Sequence, residues 1–128
     1  MDKNIKILVV EDSPDLMKAI SMKLQTHGMK PILATNGEEA LLMLRENPDV
    51  VWLDIYLPKI NGYEFLKIVR GNKATTNLPV VVVTNSAGHQ MRKELEQLGI
   101  LDFFVKADSR LDEVIDRIQT HFDTAVKS

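Results

Sequence analysis

At residues 50–58 the chain reads Val50-Val51-Trp52-Leu53-Asp54-Ile55-Tyr56-Leu57-Pro58. A continuous apolar run of strand length indicates a strand that is covered on both faces, as in buried parallel sheets. Because Pro58 and the following Asn61-Gly62 turn the chain, Asp54 is predicted to lie where this strand opens into a loop. In open α/β sheets, ligands bind at that edge. Taken alone, Asp54 could equally well be an ordinary turn residue that hydrogen-bonds the nearby backbone.

The rest of the chain alternates predicted strands with predicted helices. Apolar runs rich in β-branched residues predict four further strands, at residues 5–10, 31–34, 79–84 and 102–106. Apolar residues at helical spacing predict a helix after each of the five strands. This alternation specifies a parallel sheet with helices on both faces, and right-handed crossovers leave few strand arrangements. We therefore expect an α/β, flavodoxin-like three-layer sandwich with the strand order 2-1-3-4-5.

Short polar segments predict where the first and last helices begin and end. Ser13 is a suitable N-cap and Pro14 a suitable first helical residue, and Gly28 is a helix-stop signal. At the last helix, Ser109 and Asp112 have the spacing of a capping box.

Composition limits the class of protein. The 128 residues fit one domain, which we expect to span residues 1–128 with a core over residues 5–122. A net charge of -2 gives no general attraction to nucleic acid or to anionic membranes. The chain has no cysteine, which excludes disulfides and thiolate metal sites, and we expect a cytoplasmic protein. Neither a signal peptide nor an apolar run of membrane-spanning length is present in the sequence.

The chemically reactive side chains follow the predicted strands at their carboxyl ends. Strand one ends in Glu11 and Asp12, strand three in Asp54, strand four in Thr84 and strand five in Lys106. Since strands one and three are neighbours in the expected order, three carboxylates would share a small volume, which is unfavourable unless a cation intervenes. Mg2+ suits this site because it takes oxygen ligands. Carboxylates, Mg2+, a hydroxyl and an ammonium together form a receptor for a phosphoryl group, with Asp54 as the nucleophile.

Each of these residues also has an ordinary structural explanation. Glu11 and Asp12 could favour the start of a helix, where acidic residues complement the dipole. Thr84 could be a simple β-former and Lys106 a solvated strand end. Their coincidence on successive strand ends favours a shared site.

In the order in which they stand, the motifs resemble those of receiver domains of two-component response regulators, in particular single-domain chemotaxis regulators. The resemblance covers about residues 5–122 and is carried by Val9-Val10-Glu11-Asp12, Leu53-Asp54-Ile55-Tyr56-Leu57-Pro58, Asn61-Gly62, Val82-Val83-Thr84 and Val105-Lys106. Each motif is weak alone, but the ordered set is highly specific. It implies a phosphoacceptor signalling module that catalyses only its own phosphorylation and dephosphorylation, and that is otherwise not an enzyme.

The resemblance also implies a role for each acidic residue. Asp54 would accept a phosphoryl group from a histidine kinase or a phosphotransfer protein. Asp12 and Asp54 would bind Mg2+ together with the backbone carbonyl of Tyr56. Glu11 would act on the metal mainly through a bound water.

By the same resemblance, Thr84 and Lys106 would each bind a phosphoryl oxygen. Phe103 matches the family's switch aromatic, which turns inward as Thr84 moves, although the neighbouring Phe104 makes plain core packing a serious alternative. The output would be a protein contact made by the fourth helix, fifth strand and fifth helix with an unknown target. By analogy, phosphorylation is expected to favour a dimer through the fourth and fifth helices.

Three positions depart from the family pattern. Ala107 follows Lys106 where proline and a cis peptide are usual, and a cis bond without proline costs about 2.5–4 kcal/mol. We therefore expect either a trans bond with an altered loop or a strained cis bond. Asn85 replaces a small residue and is expected to gate the phosphoryl pocket in part. Tyr56 and Ser86 occupy positions that tune hydrolysis, and the bulk of Tyr56 predicts slow self-dephosphorylation.

Competing functions are disfavoured by particular residues. A receiver-like docking module that is never phosphorylated usually lacks the acidic pair, the acceptor or the lysine, and all are present here. A flavodoxin-like cofactor binder needs a loop that cradles phosphate after strand one, where Glu11-Asp12 would repel it. A metal-dependent phosphatase with an aspartyl nucleophile would carry that nucleophile on strand one and would have a cap.

Zinc and DNA binding are also disfavoured. The chain lacks cysteine, and its three histidines lie in separate segments without ligand spacing. After the fifth helix there is no room for a helix-turn-helix output domain. We therefore expect a stand-alone receiver, although a segment of a longer protein would have the same features.

Overall fold

The computed structural model describes residues 4–85 and 88–127, with side chains as far as residue 124. Within these ranges, five strands alternate with five helices, as the sequence predicts. In chain order they are β1 Lys6–Val10, α1 Pro14–Thr26, β2 Lys30–Ala34, α2 Gly37–Met43, β3 Val50–Leu53, α3 Gly62–Gly71, β4 Val80–Thr84, α4 His89–Leu98, β5 Asp102–Val105 and α5 Leu111–Lys127. Short 3-10 turns follow α2 at Leu44–Glu46 and β5 at Lys106–Asp108.

The five strands form one parallel sheet in the order β2-β1-β3-β4-β5. This order confirms the expected flavodoxin-like sheet. In the register of the central strands, Val10 lies beside Leu53, and Leu53 lies beside Val82. The residues that follow β1 and β3 therefore leave the sheet side by side.

The core has two parts, one on each face of the sheet. On one face, Trp52 of β3 packs with Ile20 of α1 and Ile115 of α5. On the other, Leu53 packs with Phe65 of α3 and with residues of α2 and α4. All four residues of β3 are buried, which is why the sequence shows a continuous apolar run rather than alternation.

The predicted ends of α1 are confirmed, but the predicted capping box of α5 is wrong by one residue. At α1, the Ser13 hydroxyl accepts a hydrogen bond from the Leu16 backbone N–H at 3.4 Å, and Gly28 follows the helix with a φ of 75°. At α5, the Glu113 carboxylate accepts from the Arg110 backbone N–H at 3.0 Å, in place of a pairing between Ser109 and Asp112. The 3-10 turn after β5 moves the helix start to Leu111.

The peptide bond between Lys106 and Ala107 is trans, because the described residues contain no cis peptide bond. Of the two expectations for this bond, the trans bond is therefore correct, and the alteration of the loop relative to the family stays a prediction. The chain passes from Lys106 directly into the 3-10 turn that leads to α5.

Among the described helices, none combines the length and the apolar character that a membrane-spanning segment needs.

Candidate functional site

Three carboxylates meet at the carboxyl edge of β1 and β3. Glu11, Asp12 and Asp54 each have a carboxylate oxygen within 4.8 Å of the others. Glu11 and Asp54 are almost fully buried, at 2% and 5% exposure, whereas Asp12 is exposed. The structure thus brings together the three acidic residues that the sequence placed on neighbouring strand ends.

The sheet itself fixes the two buried carboxylates. Beyond the strand ends, the Asp54 backbone N–H donates to the Val10 carbonyl, and the Glu11 N–H donates to the Ala34 carbonyl, both at 3.1 Å. The hydrogen-bond ladder therefore continues one residue past β1 and β3 and holds both residues in register. Because main-chain bonds set these positions, the site depends on the strand order.

Lys106 joins the two buried carboxylates. Its Nζ donates to Glu11 Oε1 at 2.6 Å and to Asp54 Oδ2 at 2.9 Å, and its side chain is only 15% exposed. Burial lowers the pKa of Lys106, but the hydrogen bonds and negative charges of Glu11 and Asp54 outweigh it, so the pKa lies above the usual lysine value. The side chain is thus held as an ammonium across the site.

Two backbone N–H groups complete the bonding of the buried carboxylates. Glu11 Oε2 accepts from the Ser13 N–H at 3.0 Å, and Asp54 Oδ1 accepts from the Tyr56 N–H at 3.3 Å. Each of these two carboxylates is therefore oriented through both of its oxygens. One oxygen accepts from Lys106 and the other accepts from a backbone N–H.

Thr84, at the end of β4, is fully buried, and its hydroxyl has no hydrogen-bond partner in the described part of the chain. A buried unpaired hydroxyl costs roughly 1–3 kcal/mol. Such a group in a native protein calls for an explanation, such as a catalytic role or a water or ion that supplies the partner. Thr84 thus has an unused donor at the same edge of the sheet as the carboxylates.

The donor set fits a hard divalent cation. The cluster offers only carboxylate oxygens, which suit Mg2+ rather than zinc. Asp12 is the exposed member of the cluster, so its carboxylate is accessible to an ion from solvent. Tyr56, which follows the acceptor by two residues, is 54% exposed.

The loop between β3 and α3 packs tightly against the acceptor. Gly62 is buried, and a Cβ at this position would collide with the Asp54 carbonyl oxygen and lie 2.7 Å from Ile55 Cα. The Gly62 N–H donates to the Ile55 carbonyl at 2.8 Å. Asn61 caps α3 through a capping box with Glu64. The sequence identified this turn but not how closely it approaches Asp54.

Phe103 and Phe104 face opposite sides of the sheet. Phe103 is half-buried with the cluster that contains Leu95 of α4, whereas Phe104 packs against the cluster around Trp52. The Arg92 guanidinium lies over the Phe103 ring, 4.6 Å from its centre. This cation–π contact on the switch candidate was not predicted from the sequence.

The remaining site predictions concern the loop after β4. The Asn85 side chain is exposed, and its expected gating of the pocket stays a prediction. Ser86, which was grouped with Tyr56 as a determinant of hydrolysis, lies outside the described residues. The expected slow dephosphorylation also stays a prediction.

A family model for the response regulator receiver domain matches residues 7–119. The chain is a response regulator receiver. As a receiver, it belongs to a family of signalling modules of two-component systems. The match begins in β1 and ends in α5, so it includes every strand and every residue of the site.

The receiver resembles proteins and solved structures of the chemotaxis type. It is 31% identical to the protein PilH of Pseudomonas aeruginosa, over 79% of this chain and 84% of that protein. The structure of chemotaxis protein CheY4 from Vibrio cholerae matches with a TM-score of 0.83 and 26% identity, over 92% of this chain and 98% of that one. The strand order, with a core on each face of the sheet, is thus that of CheY-like receivers.

Other relatives are much longer than this chain. Protein-glutamate methylesterase/protein-glutamine glutaminase 2 of Nitratidesulfovibrio vulgaris is 35% identical over 96% of this chain, but the match covers only 34% of that protein. The chain therefore spans about a third of that relative's length and corresponds to its receiver portion.

Proposed function

We propose that this receiver accepts a phosphoryl group on Asp54 from a histidine kinase or a phosphotransfer protein in the cytoplasm. The reaction requires Mg2+, and it switches the surface formed by α4, β5 and α5 to control a protein partner. The observation that carries the proposal is the cluster of three carboxylates within 4.8 Å, bridged by the Lys106 ammonium. A structural salt bridge would need neither the exposed third acid, Asp12, nor the unpaired Thr84 hydroxyl.

The acidic residues divide between the metal and the phosphoryl group. Asp12 and Asp54 would hold Mg2+ together with the Tyr56 carbonyl, and Glu11 would contact it through water. When bound, the ion neutralises negative charge on the phosphoryl oxygens as they approach the carboxylates. Glu11 stays fixed by the Ser13 N–H and Lys106, so it holds its position as charge in the site changes.

The transfer itself is a substitution at phosphorus. An Asp54 carboxylate oxygen attacks phosphorus while the bond from phosphorus to the donor histidine nitrogen breaks, and the histidine keeps that electron pair. The product is an acyl phosphate on Asp54. Lys106, which bonds Asp54 Oδ2 in this structure, transfers its hydrogen bond to a phosphoryl oxygen. The Thr84 hydroxyl, which is unpaired in this structure, donates a hydrogen bond to a second phosphoryl oxygen. Phe103 turns inward as Thr84 moves.

Intact mass measured after incubation with acetyl phosphate and Mg2+ tests this function. We expect the wild-type chain to gain one phosphoryl group, and we expect no gain when EDTA removes the metal. Binding of Mg2+ with beryllofluoride, which mimics the acyl phosphate, gives an independent readout. A chain that gains no mass and binds no beryllofluoride would instead be a docking module that is not phosphorylated.

Arg92→Ala is expected to strengthen beryllofluoride binding by about two- to fivefold. An exposed cation–π contact is worth about 0.5–1 kcal/mol, and this one holds the Phe103 ring from outside. Its loss removes a contact that stabilises the ring position seen in this structure, and should therefore favour the inward, active position. Titration of beryllofluoride at saturating Mg2+ measures the change.

Glu96→Gln is the matched control for Arg92→Ala. Glu96 pairs with Arg92 at 3.5 Å, so the substitution removes the ion pair and leaves the guanidinium available to the ring. We expect wild-type affinity for this control. An unchanged affinity in Arg92→Ala would show that the contact does not restrain the switch.

A further inference from the structure

We infer that Gly37, the first residue of α2, is a positioning residue for the loop that carries the phosphoacceptor chemistry. The loop runs over residues 55–61, between Asp54 and α3. The three atoms nearest to a Cβ built at Gly37 all belong to Ile60 and not to the acceptor or the proposed metal ligands. Its lack of a side chain allows the Ile60 backbone to lie directly on the start of α2. The chemical consequence rests on the proposed function of Asp54.

The contact between Gly37 and Ile60 leaves no room for a side chain. Gly37 is buried, and a Cβ there would collide with the Ile60 carbonyl oxygen and would lie 2.7 Å from Ile60 Cβ and 2.8 Å from Ile60 C. Two of these three atoms belong to the main chain, so a rotamer change cannot relieve the overlap. The φ of Gly37 is not positive, unlike that of Gly28 or Gly99. Alanine could therefore adopt its backbone conformation, and glycine is required here for space alone.

The start of α2 is itself fixed, so the loop must move if Gly37 gains a side chain. Asn36 caps the helix by accepting from the Glu39 N–H at 2.9 Å. The Glu39 carboxylate accepts from both the N–H and the hydroxyl of Thr35, each at 2.7 Å. These bonds tie the first turn of α2 to the end of β2.

The loop is held at both ends as well as at Ile60. Gly62 closes it against the Asp54 carbonyl, and Lys59 within it has a φ of 65° and pairs with Glu38 at 3.8 Å. A non-glycine residue in the left-handed region costs about 1–3 kcal/mol and persists only where the surroundings impose it. A displacement at Ile60 is therefore passed along the loop rather than absorbed within it.

The displaced loop would alter two groups at the acceptor. The Tyr56 N–H orients the Asp54 carboxylate at 3.3 Å, and the Tyr56 carbonyl is a proposed metal ligand. Both belong to the segment that Gly62 contacts at Asp54 and Ile55 and that Gly37 contacts at Ile60. The start of α2 thus sets the orientation of the acceptor through this loop.

Gly37→Ala tests the inference, with Gly71→Ala as the matched control. Gly71 also lies in a helix, and a Cβ there would meet nothing within 4 Å. In metal-free protein, we expect Gly37→Ala to shift the amide 1H–15N resonances of residues 54–62 and Gly71→Ala to leave them unchanged. Mg2+ titration of the folded variants should show about tenfold weaker binding for Gly37→Ala, the size of effect typical of groups that orient metal ligands, and wild-type binding for Gly71→Ala.

A purely structural role for Gly37 would lower the melting temperature and leave the Mg2+ affinity of the folded protein unchanged. Resonance shifts confined to residues 34–41, with wild-type Mg2+ affinity, would overturn the inference. If Gly37→Ala unfolds in buffer, the measurements are made in trimethylamine N-oxide, which favours the folded state. Failure to fold there as well would make Gly37 a folding residue and would also overturn the inference. The amide shifts need neither metal nor phosphodonor, so a wild-type chain that takes no phosphate would contradict the proposed function alone.

Discussion

Asp54→Asn is expected to take up no phosphoryl group from acetyl phosphate, under conditions in which the wild-type chain gains one. Asparagine keeps the shape of the buried side chain but replaces the nucleophilic carboxylate oxygens with an amide. It also removes one of the two negative partners of Lys106 and one of the three carboxylates of the cluster. Intact mass spectrometry measures the outcome as the presence or absence of a phosphoryl adduct.

Asp108→Asn serves as the control for the acceptor assignment. Asp108 is an exposed aspartate in the 3-10 turn that begins at Lys106, and it lies outside the carboxylate cluster. We expect this variant to gain one phosphoryl group, as the wild-type chain does. A phosphoryl adduct on Asp54→Asn would assign the acceptor to another residue.

Lys106→Met is expected to lower the free energy of unfolding of the metal-free protein by roughly 3–5 kcal/mol, the usual loss when a buried ion pair keeps only one partner. The substitution would leave Glu11 and Asp54 buried without the ammonium that bridges them. Mg2+ should restore part of the loss, because it supplies positive charge to the same carboxylates. Urea unfolding with and without Mg2+ measures both effects.

Lys23→Met provides the comparison at an exposed ion pair. Lys23 lies 3.2 Å from Asp112, and the two side chains are 43% and 42% exposed. Exposed pairs of this kind contribute about 0–1 kcal/mol, and Mg2+ should not change the result. Similar losses in Lys106→Met and Lys23→Met would show that the buried bridge does not stabilise the fold.

The sheet could be predicted because its signals are local. The apolar run of β3 and the four successive valines of β4 indicate strands that are buried on both faces, and alternation with helices leaves few topologies. The start of α5 was missed by one residue for a tertiary reason. Lys106 reaches back to Glu11 and Asp54, and the chain then forms a 3-10 turn whose length cannot be deduced from local sequence.

The charged residues of the site could be predicted from the topology, whereas the residues that hold the neighbouring loop and the Phe103 ring in place could not. Once the strand order is known, the residues after β1 and β3 must be neighbours. The proximity of Glu11 and Asp54 could therefore be predicted from the sequence alone. Gly37 was not predicted to support the site, since nothing in the local sequence around Asn36 and Gly37 indicates that Ile60 packs there. Likewise, Arg92 belongs to a polar helix, and its place over Phe103 depends on how α4 packs against the sheet.

The single lysine of the site leaves its carboxylates short of electroneutrality. Glu11, Asp12 and Asp54 carry three negative charges against the one ammonium of Lys106. A divalent cation would balance this excess, and an acyl phosphate on Asp54 would then return part of it, because a phosphoryl group carries about -1.5 to -2 charges where the carboxylate carried one. Metal binding would therefore neutralise this edge of the sheet, and phosphorylation would make it negative again. By the proposed function, this negative charge would attract the Thr84 hydroxyl, so the receiver would distinguish a neutral, metal-loaded site from a negatively charged, phosphorylated one.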